Sequence, residues 1–539
     1  MIRFFFLHII LFFGITINAQ YLTTSGKEIL DKNGSPILLQ GVGLGGWMLQ
    51  EPYMMNVIGG ASNQQEFRIK LESLMGVVNT QEFYDNWLDN FVTKTDIDSI
   101  ASWGFNSVRL PMHYNLFTLP TEDEVQGENT WLTKGFDMVD ALLDWCQDNE
   151  LYLILDLHAA PGGQGYDQGI SDYDTSKPSL WESNENKQKM VALWGKLAER
   201  YKNEEWIGGY DILNEPNWNL SGSEIKNLYI QVTNAIRAHD TNHIIFIEGN
   251  WFANDFTGLT PPWDNNMVYS FHKYWNNNTQ NTIQWVLDMR DQFNVPLWMG
   301  ESGENSNVWF KEAIKLFEDN NIGWAWWPWK RIETIVSSFS IKSNSKYSSV
   351  VDYFKGNAVA PSAGDAYQGM LELADAAKIE NCDFRKGVID AMLRQPSTEQ
   401  LKPYAVNTIP GLIHATHYDM GSQGLAYSDN EYGNYSGSGG TNTWNKGWSF
   451  RNDGVDISTD NSGGSNSNGY SVGYVNDKEW IKYTVDIKQE GYYNIETTYA
   501  ANESGGKLYY EVNDVLITPV VVFNSTGSFS NFSTKTTET

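Results

Sequence analysis

The chain has 539 residues, with 37 Lys+Arg against 66 Asp+Glu and a formal net charge of −29. An acidic balance of that size repels phosphate backbones and anionic lipid, which argues against nucleic acid or a membrane surface as a partner. Aromatic residues make up 14%, including 22 Trp, a surplus over what a core requires that suits the flat apolar faces of sugars.

Taken in chain order, Arg3 followed by an apolar run and then small or polar residues to Ala19 reads as a signal peptide over residues 1–19. That run is too short to span a bilayer, so the mature chain is expected to be secreted, extracellular or at the cell surface, with no membrane partner. Eight short apolar or β-branched runs follow, at residues 41–47, 105–111, 152–158, 207–216, 243–249, 267–274, 296–303 and 323–330. Between them lie helical faces: Phe136, Val139, Leu142 and Leu143; Met190, Trp194, Leu197 and Tyr201; Ile225, Leu228, Val232 and Ile236. Eight runs in this alternation predict an α/β fold, a closed (β/α)8 barrel, over residues 20–356. Residues 357–408 read as a helical extension or linker. From residue 409 the text turns to Gly, Ser, Asn and Tyr with short alternating strands such as 480–485 and 492–499, an all-β sandwich of jelly-roll type over residues 409–539. Two cysteines, Cys146 and Cys382, are expected as core residues rather than a disulfide.

Most of the runs end on polar residues that a purely structural strand would not need. They are Arg109, then Asp156-Leu157-His158, Asn214-Glu215-Pro216, His272-Lys273-Tyr274, Gly300-Glu301-Ser302 and Trp326-Trp327. In a barrel these ends converge on one mouth. Glycosidic bond cleavage needs two facing carboxyl groups, one protonated and one ionised, and Glu215 and Glu301 are the two on offer. Each leaves an apolar run, where a carboxylate survives only with partners such as Arg109, His272 or Tyr274.

On these residues the chain resembles glycoside hydrolase family 5 over roughly residues 41–330. Asn-Glu-Pro alone is a weak signal, and its combination with Arg109, His158, His272, Tyr274, Glu301 and Trp327 is specific. The resemblance implies a retaining β-glucan hydrolase in which Glu215 is the acid/base and Glu301 the nucleophile. Arg109 would orient Glu301, Asn214 would bond the sugar 2-hydroxyl, and His158 and His272 would hold neighbouring hydroxyls or carboxylates. Tyr274 would touch the nucleophile and Trp327 would stack under the ring. No cofactor is implied for catalysis, and the histidines show no ligand spacing that indicates a catalytic metal. The partner is a β-glucan polysaccharide or oligosaccharide. Residues 41–47, Glu51-Pro52-Tyr53 and 156–162 resemble exo-acting β-1,3-glucanases, but bacterial endo-glucanases of the family can share these phrases, so cellulose-like β-1,4 linkage ranks only slightly ahead of β-1,3. A transglycosylase and a non-catalytic glycan-binding protein are the alternatives. Gly41-x-Gly43-x-x-Gly46 copies the dinucleotide fingerprint, but Trp-Met-Leu-Gln-Glu-Pro follows where a helix should open, so these glycines are expected to clear space at the mouth.

The C-terminal segment is similar to carbohydrate-binding module family 6 in the order of Ile409-Pro410-Gly411, Ala426-Tyr427-Ser428-Asp429, Arg451, 469–474 and 479–485. The resemblance implies sugar stacking between Phe450 and Phe529, with Trp480 in the core. Ile413-His414-Ala415-Thr416-His417 stands where that family carries an acidic calcium-binding set, which leaves a structural calcium doubtful. The segment ends before the final strands of the family, so an incomplete, weakly binding module is expected, and a barrel indifferent to its removal.

Overall fold

The computed structural model describes residues 21–125, 127–435, 444–460 and 466–539; the signal peptide expected at 1–19 lies outside the described residues. Eight parallel strands close into a barrel: β1 (Gln40–Gly43), β2 (Ser107–His113), β3 (Tyr152–Ala159), β4 (Ile207–Asp211), β5 (Ile244–Glu248), β6 (Met267–Lys273), β7 (Leu297–Gly303) and β8 (Gly323–Trp327). Closure is made by β8 on β1, with Trp324 opposite Gln40 and Trp326 opposite Val42. Each of the eight apolar runs supplies one strand, and the structure gives the (β/α)8 barrel that their alternation predicts.

Side chains along a strand alternate between two faces, and in a closed barrel one face is the interior. Tyr152, Ile154, Ile244, Phe246, Val268 and Trp298 share one apolar cluster, which Leu22 and Ile29 join from the segment preceding the barrel. Leu153, Leu155, Leu157, Ile245 and Ile247 belong instead to the cluster shared with the helices. The three expected helical stripes are buried in helices Thr133–Asp148, Asn184–Tyr201 and Gly222–Arg237. Continuing the interior parity toward the strand ends replaces Ile154 by Asp156 and His158, and Phe246 by Glu248. A dry floor therefore underlies a charged mouth. Between β5 and β6 a layer helix is replaced by a turn at Asn250–Ala253, with left-handed φ angles of +52°, +61° and +59° at Trp251, Phe252 and Ala253.

After β8 come helices Ser345–Phe354, Ala363–Ala376 and Lys386–Leu393. The remainder is made of short paired strands, as the all-β reading requires. The 480–485 run is not one strand: Trp480–Ile481 pairs with Tyr427–Ser428, whereas Val485–Ile487 runs parallel to Asn407–Ile409. Trp480 is 37% exposed rather than in the core, with Lys482 Nζ 5.1 Å from its ring. Its strand lies at the surface of the segment, where Ile481 beside it is only half-buried. Cys146 is buried, Cys382 is half-buried, and both are free thiols. No helix among the described residues is long and apolar enough to cross a membrane.

Candidate active site

Arg109 organises the mouth. Its guanidinium is fully buried and donates to Asp211 Oδ2 (3.1 Å), Glu301 Oε2 (2.9 Å), Asn214 Oδ1 (2.9 Å) and Glu248 Oε1 (2.8 Å), with Asp156 Oδ2 at 3.2 Å. Burial works against its charge, but these carboxylates outweigh it and hold the guanidinium more firmly protonated than usual. Glu301 closes its other oxygen on the Tyr274 hydroxyl, which donates to Oε1 at 2.8 Å. Burial and the neighbouring Glu215 push the Glu301 pKa up, while His272, Arg109 and His158 pull it down, and the net direction is upward.

Glu215 follows β4 on a turn with φ +40°, a left-handed angle that few non-glycine residues adopt. Its N–H donates to Glu248 Oε2 at 2.6 Å, which pins the turn. On the facing strand His272 places Nδ1 2.6 Å from Glu215 Oε1 and Nε2 3.3 Å from Glu248 Oε1. Burial disfavours the imidazolium, yet Glu248 and Glu301 raise its pKa well above the ordinary value. Glu248 is itself buried; the opposing pull of His272 and Arg109 lowers it to about 2. Asp211 moves the other way, raised well above the usual range by burial and by Glu248. Oxygens of Glu215 and Glu301, with a ring nitrogen of His272, all lie within 4.8 Å of one another. A retaining glycosidase places its carboxyl groups about 5–5.5 Å apart.

The remaining expected residues lie around this core. His158 Nδ1 is 2.7 Å from Asp156 Oδ2, and its Nε2 is 3.3 Å from Asn214 Nδ2. Despite burial, Asp156 and Glu51 push His158 up to about 10. The Trp327 ring lies parallel to His158 at 5.3 Å, and its N–H donates to the Tyr53 hydroxyl at 2.6 Å. Of the three fingerprint glycines only Gly43 makes room for Trp327, whose ring a Cβ there would meet at 3.0 Å, whereas Gly41 abuts Ser107 and Gly46 abuts Met54 and Phe91; Gly45, outside the fingerprint, is tighter still, its Cβ falling 2.1 Å from the Trp327 ring. Glu51, Glu215, His272, Glu301 and Trp327 share one cavity of about 1090 Å³, roomier than most small-molecule sites.

The structure adds residues that the sequence reading did not assign. Glu248 ends β5 just as Glu301 sits near the end of β7, so the same strand-end rule would have found it. Asp156 and Glu51 stand inside quoted motifs, and burial raises Glu51 to about 7. Glu304, which accepts from Arg331 at 2.8 Å, carried no comparable signal. The C-terminal rings are not brought together. Phe450 packs on Tyr470 at 4.6 Å and near His417 at 6.1 Å, while Phe529 is 77% exposed, and no ring contact joins the two among the described residues. Thr416 accepts from Asn468 Nδ2 at 3.0 Å. From the C-terminal segment, Trp444 and Trp448 line the cavity itself.

Comparison with known proteins gives a consistent assignment. The family model for cellulase (glycosyl hydrolase family 5) matches residues 62–332, half of the chain, and that for carbohydrate binding module (family 6) matches residues 449–539. A beta-xylosidase of Phanerodontia chrysosporium is 35% identical over 257 residues, covering 47% of this chain and 52% of that protein. Endoglucanase C of Acetivibrio thermocellus is 33% identical over 202 residues, covering 36% and 53%. A glucan 1,3-beta-glucosidase of Blumeria graminis is 29% identical over 253 residues, covering 44% and 55%. The chain spans about half the length of the curated relatives it matches. With eight parallel strands, a buried arginine at the centre of the mouth and two facing glutamates at the ends of its fourth and seventh strands, the chain belongs to glycosyl hydrolase family 5 and carries a family 6 carbohydrate-binding module toward its C-terminus.

Proposed function

We propose that this protein is a secreted, retaining hydrolase of β-glucans, exported after removal of residues 1–19. The observation that carries the reading is the approach of Glu215 and Glu301 to within 4.8 Å across the mouth, each with its own dedicated partner. That gap suits direct attack and leaves little room for a water between carboxylate and sugar.

In the first step Glu301 attacks the anomeric carbon as the glycosidic C–O bond breaks, and the Glu215 carboxyl proton passes to the leaving oxygen. Arg109 and Tyr274 each hold one oxygen of Glu301, aligning it and favouring its ionised form. His272 then stabilises the Glu215 carboxylate that remains. In the second step water attacks the glycosyl ester, gives its proton to Glu215 and frees Glu301. Asn214, fixed by Arg109 and set beside His158, is the group available to a hydroxyl of the sugar at the cleavage point, with Trp327 beneath the ring. No cofactor takes part. We rank β-1,4 linkage first and β-1,3 second; relatives named as an endoglucanase and as a glucan 1,3-beta-glucosidase support a β-glucan without ordering the two. Phe529, 77% exposed, is the ring the C-terminal module offers for a weak glycan contact, since Phe450 is packed on Tyr470.

Product analysis on cellulose, mixed-linkage glucan and laminarin, with the anomer first released followed by NMR, tests the reading. A β-anomer first is expected. An α-anomer first would remove the double displacement, and absence of hydrolysis on all three would remove the β-glucan assignment.

A further inference from the structure

The cavity that holds the catalytic glutamates is not walled by the barrel alone. Trp444 and Trp448 line it, although both stand in the segment that follows the barrel by more than a hundred residues. Trp444 is 1% exposed and belongs to the barrel's apolar cluster rather than to the separate cluster of Tyr418, Tyr427 and Ile457. Trp448 is half-buried, with its ring centroid 5.5 Å from that of Trp444, so it is backed by an immobile neighbour and still reaches the cavity.

The loop that presents Trp448 is clamped to the exit of the strand bearing Glu301. Asn452 Nδ2 donates to Asn305 O at 2.8 Å and to Asn307 Oδ1 at 3.1 Å. Asn307 returns its N–H to Asn452 O at 2.9 Å and its side-chain amide to Asp453 Oδ1 at 2.9 Å. All four residues are buried, and Asn305 is only four positions beyond Glu301. Trp448 itself has φ +48°, an unfavourable angle for a bulky residue. It is held there by its own N–H donating to Asn445 O (2.9 Å), while Asn445 Nδ2 donates to the carbonyls of Ser449 and Arg451. Next to it, a Cβ on Gly447 would fall 2.0 Å from Ile457 O, so only glycine lets this loop pass. A strained aromatic residue, over-determined by its surroundings and aimed into a catalytic cavity, is the pattern of a ligand contact.

We infer that Trp448 is a sugar-stacking residue of the catalytic cleft, supplied by the C-terminal segment, and that it binds a glucosyl unit of a β-linked oligosaccharide away from the cleavage point. Trp327 lies beside His158 at the mouth, and the clamp of Asn452 on Asn305 and Asn307 sets the loop of Trp448 at its β7 side. Base or sugar stacking on an indole is tolerant of chain sequence and favours longer ligands, which places the effect in affinity for oligosaccharides rather than in bond cleavage. The inference rests on the β-glucan reading above, and Trp444 serves it as support rather than as a contact.

The test uses the full chain carrying Glu301→Gln, which binds without turnover, with and without Trp448→Ala and Trp448→Phe. Affinities are measured by calorimetry for cello- and laminari-oligosaccharides of two to six units, and wild-type and Trp448→Ala kinetics are compared on the hexamer and on a short aryl glycoside. Trp448→Ala should weaken binding of the longest ligand about tenfold, raise KM on the hexamer to a similar degree with kcat nearly unchanged, and leave the short glycoside within twofold. Trp448→Phe should recover part of the loss. Equal affinities across the ladder overturn the inference, and so does an equal loss on the short glycoside. If the wild type cleaves no β-glucan, the enzymatic reading falls separately, and the binding ladder alone decides the role of Trp448.

Discussion

Replacing Arg109 by Met should destabilise the protein in a pH-dependent way. The guanidinium stands within 3.2 Å of four buried carboxylates, Asp156, Asp211, Glu248 and Glu301, and methionine would fill much of its volume without answering any of their charges. Removing one member of a single buried ion pair costs about 3–5 kcal/mol. Asp156, Glu248 and Glu301 keep a second partner in His158, His272 and Tyr274, and Asp211 keeps its contact with Glu248, so we expect a loss of about 3–5 kcal/mol at pH 7 rather than a multiple of it. That is still a large part of the about 5–15 kcal/mol that holds a typical domain. The pH dependence has a definite sign. Glu248 is depressed to about 2 when folded, so its stabilising contribution is complete above the ordinary carboxylate range and disappears as pH falls through about 2. Without Arg109 its folded pKa rises, and the deficit of the variant must shrink as pH falls below about 4.5. Urea unfolding followed by tryptophan fluorescence at pH 7 and pH 3.5 measures both. A loss under about 1 kcal/mol at pH 7, or a gap between wild type and variant that fails to narrow at pH 3.5, would refute the reasoning.

Glu301→Ala should remove essentially all turnover, and azide should restore part of it as a glycosyl azide of inverted configuration; near-normal activity without azide would mean that the nucleophile lies elsewhere. Tyr274→Phe keeps the ring but deletes a 2.8 Å hydrogen bond to the nucleophile, and kcat/KM should fall by about one to two orders of magnitude, since a bond to a charged group is worth about 1.5–3 kcal/mol. Activity against pH should be bell-shaped, its acidic limb displaced above the range of a free glutamate because burial raises Glu301, which must be ionised to attack; a limb at or below pH 4 would contradict this. Gly45→Ala places a methyl group 2.1 Å from Trp327, so KM should rise well before stability suffers, as kinetics set beside a melting curve would reveal.

The sequence by itself determined the elements and pointed to the candidate reacting groups. Short apolar or β-branched runs set strands, the stripes of Phe136, Met190 and Ile225 set helices, and eight alternations leave a closed barrel as the economical way to pair every strand. Because strand parity is local, a polar residue such as Arg109 or Glu301 at the end of an apolar run already announces a buried charge. What the sequence could not carry is anything that depends on which ends meet. Arg109 faces Glu248, 139 positions away, and Glu248 went unassigned because its single run resembles any strand end. The count of charges was legible, but which proton each group keeps was not: Asp211 and Glu248 shift in opposite directions only because one guanidinium and one imidazolium are shared unequally between them. Domain organisation read from composition likewise missed that the C-terminal segment reaches back into the cleft. Asn452 and Asn307 are separated by 145 residues, and no periodicity in either segment encodes a hydrogen bond between them. Local propensity shapes elements one at a time, whereas a site is made by long-range closure, and only the folded barrel brings Trp448 to the strand that carries Glu301.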